Sequence, residues 1–278
     1  MARSGEFRRA GPAGPRALGT DRALPRRARS GPRLSMARDE ASRRRQERPL
    51  RVWHRNWKER WLAEGGAAAR RGAVIDMLVF DHGLARYVWR NLHEIGPGVW
   101  RGSQPDPAQI RRLAGRGFRT ILNLRGETRW GSYILEREAC AELGIELVDL
   151  KLNSRSLPEV ATILELDAIF ARAAKPMLIH CKSGSDRAGF ASALYLLLRT
   201  DATPEAARAQ LSWRYLHLRR GGTGVLGYMI DAYAAEQARS GVGFRDWLRE
   251  GYDREALMAG FRSGAVAGFL SDRVLGRE

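Results

Sequence analysis

The chain has 278 residues and a hydrophobic fraction of 44%, room for one large or two small globular domains with a sizeable core. Its formal charge of +17 is uneven, because residues 1–72 hold 20 basic and 7 acidic side chains against 28 and 24 in the remainder. A basic arm on a near-neutral body, without a recognition motif, excludes specific nucleic-acid binding as the expected function, and two cysteines exclude a disulfide framework.

Residues 1–50, rich in Arg, Ala, Gly and Pro, read as a disordered basic arm suited to weak binding of anionic surfaces. Met36 and Met77 stand beside Met1 as alternative starts. Residues 51–74 read as a helical linker in which Trp53, Trp57 and Trp61 recur at i, i+4 and i+8, one helix face, taken as packing surface. Arg51, Arg55, Lys58 and Arg60 interleave with that stripe and suit a membrane interface as the alternative. The segment 75–239 reads as the main domain. It opens with a helix over Gly83–Glu94, and Gly96-Pro97-Gly98 turns the chain into a strand around Val99–Arg101. Asp106 caps a helix over Pro107–Arg116, stopped by Gly117, and Arg119–Leu124 is the next strand. Tyr133–Leu143 is a helix closed by Gly144, Ile145–Leu150 a strand, Pro158–Ala174 a helix and Met177–Cys181 a buried strand. Helices begin at Arg187 and Pro204. The alternation predicts an α/β fold, with a central, mostly parallel sheet flanked by helices. Residues 240–278 read as a helical extension that buries Phe244, Trp247, Tyr252 and Phe261 against the body. No apolar run reaches the ~20 residues of a membrane span, and the sparse cysteines, Cys140 and Cys181, fit a reducing cytoplasm.

The most informative stretch is His180-Cys181-Lys182-Ser183-Gly184-Ser185-Asp186-Arg187-Ala188-Gly189, a tight loop between a strand and a helix. Its amides and the helix N-terminus make a concavity for a phosphate dianion, formed by Lys182, Ser183, Gly184 and Ser185. Arg187 adds a planar fork of donors. Cys181 lies in the same positive field, which favours the thiolate, and a thiolate beneath bound phosphorus is a nucleophile in position. Gly184 and Gly189 permit the sharp turn and close backbone approach.

The His-Cys-x5-Arg signature resembles the phosphate-binding loop of the cysteine-dependent protein tyrosine phosphatases, most closely the bacterial, dual-specificity-like branch. Val99-Trp100-Arg101-Gly102-Ser103-Gln104-Pro105 is similar to that branch's entry strand and turn, and Thr120–Arg125 to its second strand, so that the resemblance covers roughly residues 80–235. It implies phosphomonoester hydrolysis through a cysteinyl-phosphate, with no metal and no cofactor. Cys181 is the implied nucleophile, Arg187 the oxyanion clamp and His180 an organiser of the loop. The family draws its general acid from an Asp after the third strand, and here that position falls near Ser154. Asp186, inside the loop, is the favoured acid and Asp149 the alternative, with neither as a third outcome. Ala188 replaces the family's hydroxyl residue after the Arg, which implies slow breakdown of the intermediate.

Lys182 hints at a highly anionic substrate, and the implied partners are a phosphorylated protein, a small phosphomonoester or a phosphoinositide. Arg125 and Arg155 read as surface residues, with substrate contact as the alternative, and Cys140 as a packing residue. His54, His82, His93 and His217 show no metal-ligand spacing. Two rival functions are a weakly active, phosphate-binding pseudophosphatase and a rhodanese-like sulfurtransferase, whose active Cys also starts a loop before a helix.

Overall fold

The computed structural model describes residues 49–218 and 221–262. The expected arm up to residue 48 and the extension beyond 262 lie outside the described residues. Two compact units divide between His54 and Arg55, and of the first only helical residues 49–54 are described.

The second unit is centred on the strand Met177–Cys181 (β5), buried at every position. β5 runs parallel to Val99–Ser103 (β2) on one side and Thr120–Asn123 (β3) on the other. The parallel strand Glu146–Asp149 (β4) and the antiparallel strand His93–Gly96 (β1) complete the order β1-β2-β5-β3-β4. Parallel neighbours need crossover connections, and helices supply them. The mostly parallel sheet with flanking helices is the architecture expected.

Strand side chains alternate between two helical layers. Leu178 and Ile121 face a cluster with Ile110 and Leu113 of Pro107–Gly115 (α4) and Ala139 and Cys140 of Gly131–Leu143 (α5). Met177, Ile179 and Leu122 face the larger core. That core is built on Val160–Arg172 (α6), Asp186–Arg199 (α7), Pro204–Ala209 (α8) and Val225–Ser240 (α9). α4 begins on a full capping box, Asp106 accepting from the Gln109 amide while Gln109 accepts from the Asp106 amide. α5 ends on Gly144 in the left-handed conformation that its missing Cβ permits.

One expected helix is shortened. Gly83–Val88 (α3) stops six residues before Glu94, because His93–Gly96 pairs with β2 as a hairpin turned at Gly98. The hairpin satisfies backbone groups that further helix would otherwise bond. Upstream, the helices Pro49–Glu64 (α1) and Gly66–Ile75 (α2) run into a π-helical turn, Asp76–Phe80. Trp61, Ala73 and Met77 pack on Leu135 of α5, and Trp57 meets Trp61 and Phe80 edge-on or tilted. In the C-terminal extension, Phe244 and Trp247 are buried beside Tyr233, while Tyr252 and Phe261 are partly buried against the same core. The Tyr252 hydroxyl donates to Pro158 O at 2.7 Å and Arg254 Nε to Leu157 O at 2.9 Å, fixing the end of the β4–α6 loop. No described helix is long and apolar enough to cross a membrane.

The seam between α2 and α5 is a close backbone approach. A Cβ added at Gly131 would stand 2.1 Å from Ala73 O and 2.7 Å from Ala73 Cα. The Gly131 amide also donates to Asp76 Oδ2 at 2.7 Å, and Lys58 pairs with the same oxygen at 3.1 Å. Neither neighbour is a flexible side-chain tip, so Gly131→Ala must separate two helices. The expected loss is about 2 kcal/mol, within the usual range for overpacking, read from the urea midpoint of folding.

Candidate active site

β5 delivers Cys181 to the carboxyl edge of the sheet, and α7 begins at Asp186. Between them, Gly184 takes φ +76° and lies so close to β2 that a Cβ would meet Gly102 C at 2.7 Å and Ser103 N at 2.8 Å. A side chain there would be both strained and obstructed.

Scaffold donors take up the loop's carbonyls one after another. The Leu124 amide donates to His180 O at 2.9 Å and the Gln104 amide to Lys182 O at 3.3 Å. His180 Nδ1 lies 3.2 Å from Cys181 O, and Asn91 Nδ2 donates to Ser183 O at 3.2 Å. Arg101 Nη2 donates to Gly184 O at 2.6 Å and to Ser185 O at 3.2 Å. With these carbonyls held outward, no acceptor among the described residues takes the amides of Lys182, Ser183, Gly184 or Ser185. Successive free amides around a turn make an anion-binding concavity.

Arg101 braces the loop from behind. It shares the face of β2 with Val99, is fully buried, and donates Nη1 to Gln210 O at 2.6 Å. Its guanidinium also lies 3.9 Å from the Tyr215 ring centroid, a cation–π contact. Burial, only partly offset by Tyr215, Cys181 and Asp186, brings its pKa down to about 10, so it remains a cation at neutral pH.

His180 points to the opposite face, with Leu178. Its Nε2 lies 2.8 Å from Glu136 Oε1 of α5, and both side chains are wholly buried. Glu136 Oε2 accepts from Gln104 Nε2 at 2.7 Å, and Gln104 Oε1 accepts from Arg125. Arg125 grips Asp81 with both terminal nitrogens, at 2.5 and 2.9 Å. Asp81 also pairs with Arg86 at 3.2 Å and Lys182 at 3.1 Å, and accepts from the Ser132 hydroxyl at 2.5 Å. The polar chain thus leaves the loop at His180 and returns to it at Lys182. Burial by itself would raise the Asp81 pKa. The bond and charge of Arg125, the Ser132 hydroxyl and Arg86 outweigh it and hold the carboxyl well below the usual range.

Of the remaining expected residues, Arg187 is half-buried, donates to Leu124 O at 3.4 Å, and lines a cleft with Lys151, Leu152, Asn153 and Ser154. Ser154 therefore stands near Arg187 without a carboxylate to offer. The Lys182 ammonium is turned to Asp81, so the amide of this residue borders the concavity while its side chain braces it. Ser183 Oγ donates to Ser185 Oγ at 3.2 Å. Asp186 Oδ1 lies 2.8 Å from Nδ1 of the buried His217. Asp149 is exposed, and its two oxygens accept from Asn123 Nδ2 and the Tyr133 hydroxyl, each at 2.7 Å. Ala188 is buried and its carbonyl accepts from Ser192 Oγ at 2.6 Å. Cys140 and Cys181 are both free thiols; Cys140 lies within the α4–α5 core, where burial pushes its pKa up to about 12.

Arg125 is not a surface residue as expected: it is buried, because Asp81 supplies the counter-charge that makes an interior guanidinium tolerable. The participants that were not anticipated include Asp81, Arg101, Gln104, Glu136 and His217. Only Arg101 left a signal, as a charged residue in a strand that the α/β pattern covers on both faces.

A cysteine and an arginine six residues apart, on an amide-lined loop joining a parallel strand to a helix, define the cysteine-phosphatase class. Residues 92–216 match the family model described as DSP-PTPase phosphatase fused to NAD+ kinase. This segment is thus similar to the phosphatase domains of the cysteine-dependent dual-specificity and tyrosine phosphatases. No curated protein sequence matches the chain. Among solved structures it is similar to Pseudomonas aeruginosa TpbA (16% identity, 54% of this chain and 91% of that one, TM-score 0.41). It is likewise similar to the core catalytic domain of the PP-IP phosphatase SIW14 from Saccharomyces cerevisiae (20% identity, 58% and 95%, TM-score 0.43).

Asp81 is the natural point at which to break the polar chain. Asp81→Asn leaves Arg86 and Arg125 buried beside a neutral amide, and the expected destabilisation is about 3–5 kcal/mol at pH 7. The folded carboxyl titrates below its ordinary value of 3.8, so its contribution is complete above that value and is lost as the pH falls towards the folded one. Urea midpoints of wild type and variant, measured down the acid range, are therefore expected to differ fully at pH 7 and to converge below about pH 3.

Proposed function

We propose that the chain hydrolyses phosphomonoesters through a cysteinyl-phosphate on Cys181, without a metal or cofactor. The observation that carries this reading is the outward anchoring of the loop carbonyls, which leaves four amides free around the nucleophile. In the first step the Cys181 thiolate attacks phosphorus, an S–P bond forms and the ester P–O bond breaks. The leaving oxygen takes a proton from Asp186. In the second step water attacks phosphorus, Asp186 accepts its proton, and the S–P bond breaks to release phosphate and the thiolate. Arg187 and the amides of Lys182, Ser183, Gly184 and Ser185 hold the non-bridging oxygens as charge redistributes. His180 positions the loop through Cys181 O and Glu136.

Asp186 is preferred to Asp149 because both Asp149 oxygens are engaged by Asn123 and Tyr133, whereas Asp186 stands next to Arg187. His217 acts as a positioning residue, its buried ring fixing Asp186 Oδ1. The substrates proposed are phosphorylated proteins or small phosphomonoesters, phosphoinositides included. A reducing compartment such as the cytoplasm keeps the thiol available, and both cysteines are free thiols.

Phosphate release from an aryl phosphate in EDTA tests the chemistry. Wild type is expected to turn over and to be inhibited by vanadate, and Cys181→Ser to lose all measurable turnover. Binding of phosphate without turnover by wild type would instead mark a pseudophosphatase, and thiosulfate-dependent activity a sulfurtransferase.

The acid assignment has its own signature. Asp186→Asn is expected to lower kcat about 10²–10⁴-fold for an ester with a poor leaving group, and far less for an activated aryl ester. His217→Ala is expected to lower kcat in the same leaving-group-dependent way with KM little changed, and His217→Gln to restore part of the loss. Equal losses on both esters would remove Asp186 and His217 from proton transfer.

A further inference from the structure

We propose that the rim of the catalytic loop is a docking surface for an anionic phospholipid bilayer. Two segments form it. One is 82–92, containing α3 and its exit, and the other is 211–218, containing the short turn Trp213–Tyr215. Asn91 places both beside the loop, because its Nδ2 donates to Ser183 O at 3.2 Å and to Tyr215 O at 3.1 Å. The His93 ring meets the Tyr215 ring edge-on at 5.0 Å and closes the same junction.

The side chains these segments present to water are unusual for a soluble surface. Val88 is 90% exposed, Trp213 69% and Leu84 62%, and Tyr87, Trp89, Leu216 and Leu218 are also exposed. Isolated apolar residues on a surface are ordinary, but seven large exposed ones on two segments that meet at Asn91 mark an interaction site. Leu216 and Asn91 both hold left-handed backbone, at φ +58° and +48°. That costs energy for a residue other than glycine, most clearly for the leucine. The strain is kept where it presents leucine to solvent.

Charge decides the occupant. Neither segment contains a single Asp or Glu, while Arg90 and Arg214 are exposed among the apolar side chains. Tryptophan, leucine and valine interspersed with guanidinium groups match the boundary between headgroups and acyl chains of an anionic membrane. With Val88 almost wholly exposed, the apolar side chains are free to insert below a headgroup layer. The basic arm is a separate feature, and the patch needs no part of it.

The test uses the full chain and vesicle flotation. Vesicles of pure phosphatidylcholine are compared with vesicles in which about one quarter of the lipid is phosphatidylserine. Wild type is expected to bind the anionic vesicles, to be weakened by salt, and to leave the neutral ones free. The double variant Trp89→Ser/Trp213→Ser, whose residues lie outside the catalytic machinery, is expected to lose affinity about tenfold or more. Its urea midpoint and its rate on a soluble aryl phosphate are expected to match wild type. Folding is read independently of hydrolysis, so failure of the hydrolytic reading leaves this test intact. Undiminished vesicle binding by the variant would assign the contact to other basic segments and overturn the proposal. Absence of binding by wild type, or equal binding to both vesicles, would overturn it too. So would self-association that the same variant abolishes, since the patch would then be a contact between copies of the chain.

Discussion

A buried guanidinium with no carboxylate partner among the described residues sets the shape of the loop between β5 and α7. Arg101 satisfies its terminal nitrogens with carbonyl oxygens alone, those of Gly184, Ser185 and Gln210 together with the Gln210 side chain, and covers one face with the Tyr215 ring. Carbonyl dipoles stabilise a cation less than a carboxylate does, and burial lowers the Arg101 pKa with only partial offset from Tyr215, Cys181 and Asp186. What the arrangement gains is direction. Carbonyls drawn towards Arg101 turn the peptide planes so that the amides face the other way, and the cation remains un-neutralised behind Cys181. A carboxylate in place of the carbonyls would have held the arginine more firmly but cancelled that field.

The second support comes from a different layer of the fold. Asp76 and Asp81 lie at the start and just past the end of a π-helical turn, and both are wholly buried. Asp76 receives the first amide of α5, and Asp81 gathers Arg86, Arg125, Lys182 and Ser132. α5 in turn presents Glu136 to His180. Position along the chain explains little of this, since the partners lie tens of residues apart; the sheet brings them together. His180 follows Leu178 to the α5 face of β5, whereas Cys181 follows Ile179 towards α7, so one strand sends adjacent residues to opposite tasks.

The parts of the fold that were legible in the sequence are those whose signals are local. The strand Met177–Cys181, the turn at Gly184 and the helix from Asp186 follow from an apolar run, a glycine and a second apolar run within some twenty residues. The capped start of α4 and the glycine end of α5 are equally local. β1 was hidden, because four residues with no buried–exposed alternation look no different from a helix tail until β2 is beside them. Arg125 was hidden for another reason. In a chain with 44 arginines, nothing near it distinguishes an interior guanidinium from a surface one, and the carboxylate that draws it inward is 44 residues away. His217 is likewise 31 residues from the Asp186 it meets. Ion pairs and histidine contacts of this kind belong to topology, and sequence periodicity does not encode them.

Much of the chemistry converges on the short stretch that follows α8. Gln210 and Tyr215 hold Arg101, His217 meets Asp186, and Leu211 packs beneath α7 in the main core. Gly189, in the first turn of α7, lets this stretch approach, since a Cβ there would stand 2.7 Å from Gln210 O. The same residues that stiffen the loop from below thus leave Trp213, Leu216 and Leu218 nowhere to go but outward. The exposed rim is in this sense a consequence of how the loop is braced. A turn whose alternate side chains are committed to the interior presents the remaining ones around the mouth of the site, and their apolar character is the part of the sequence that bracing does not require.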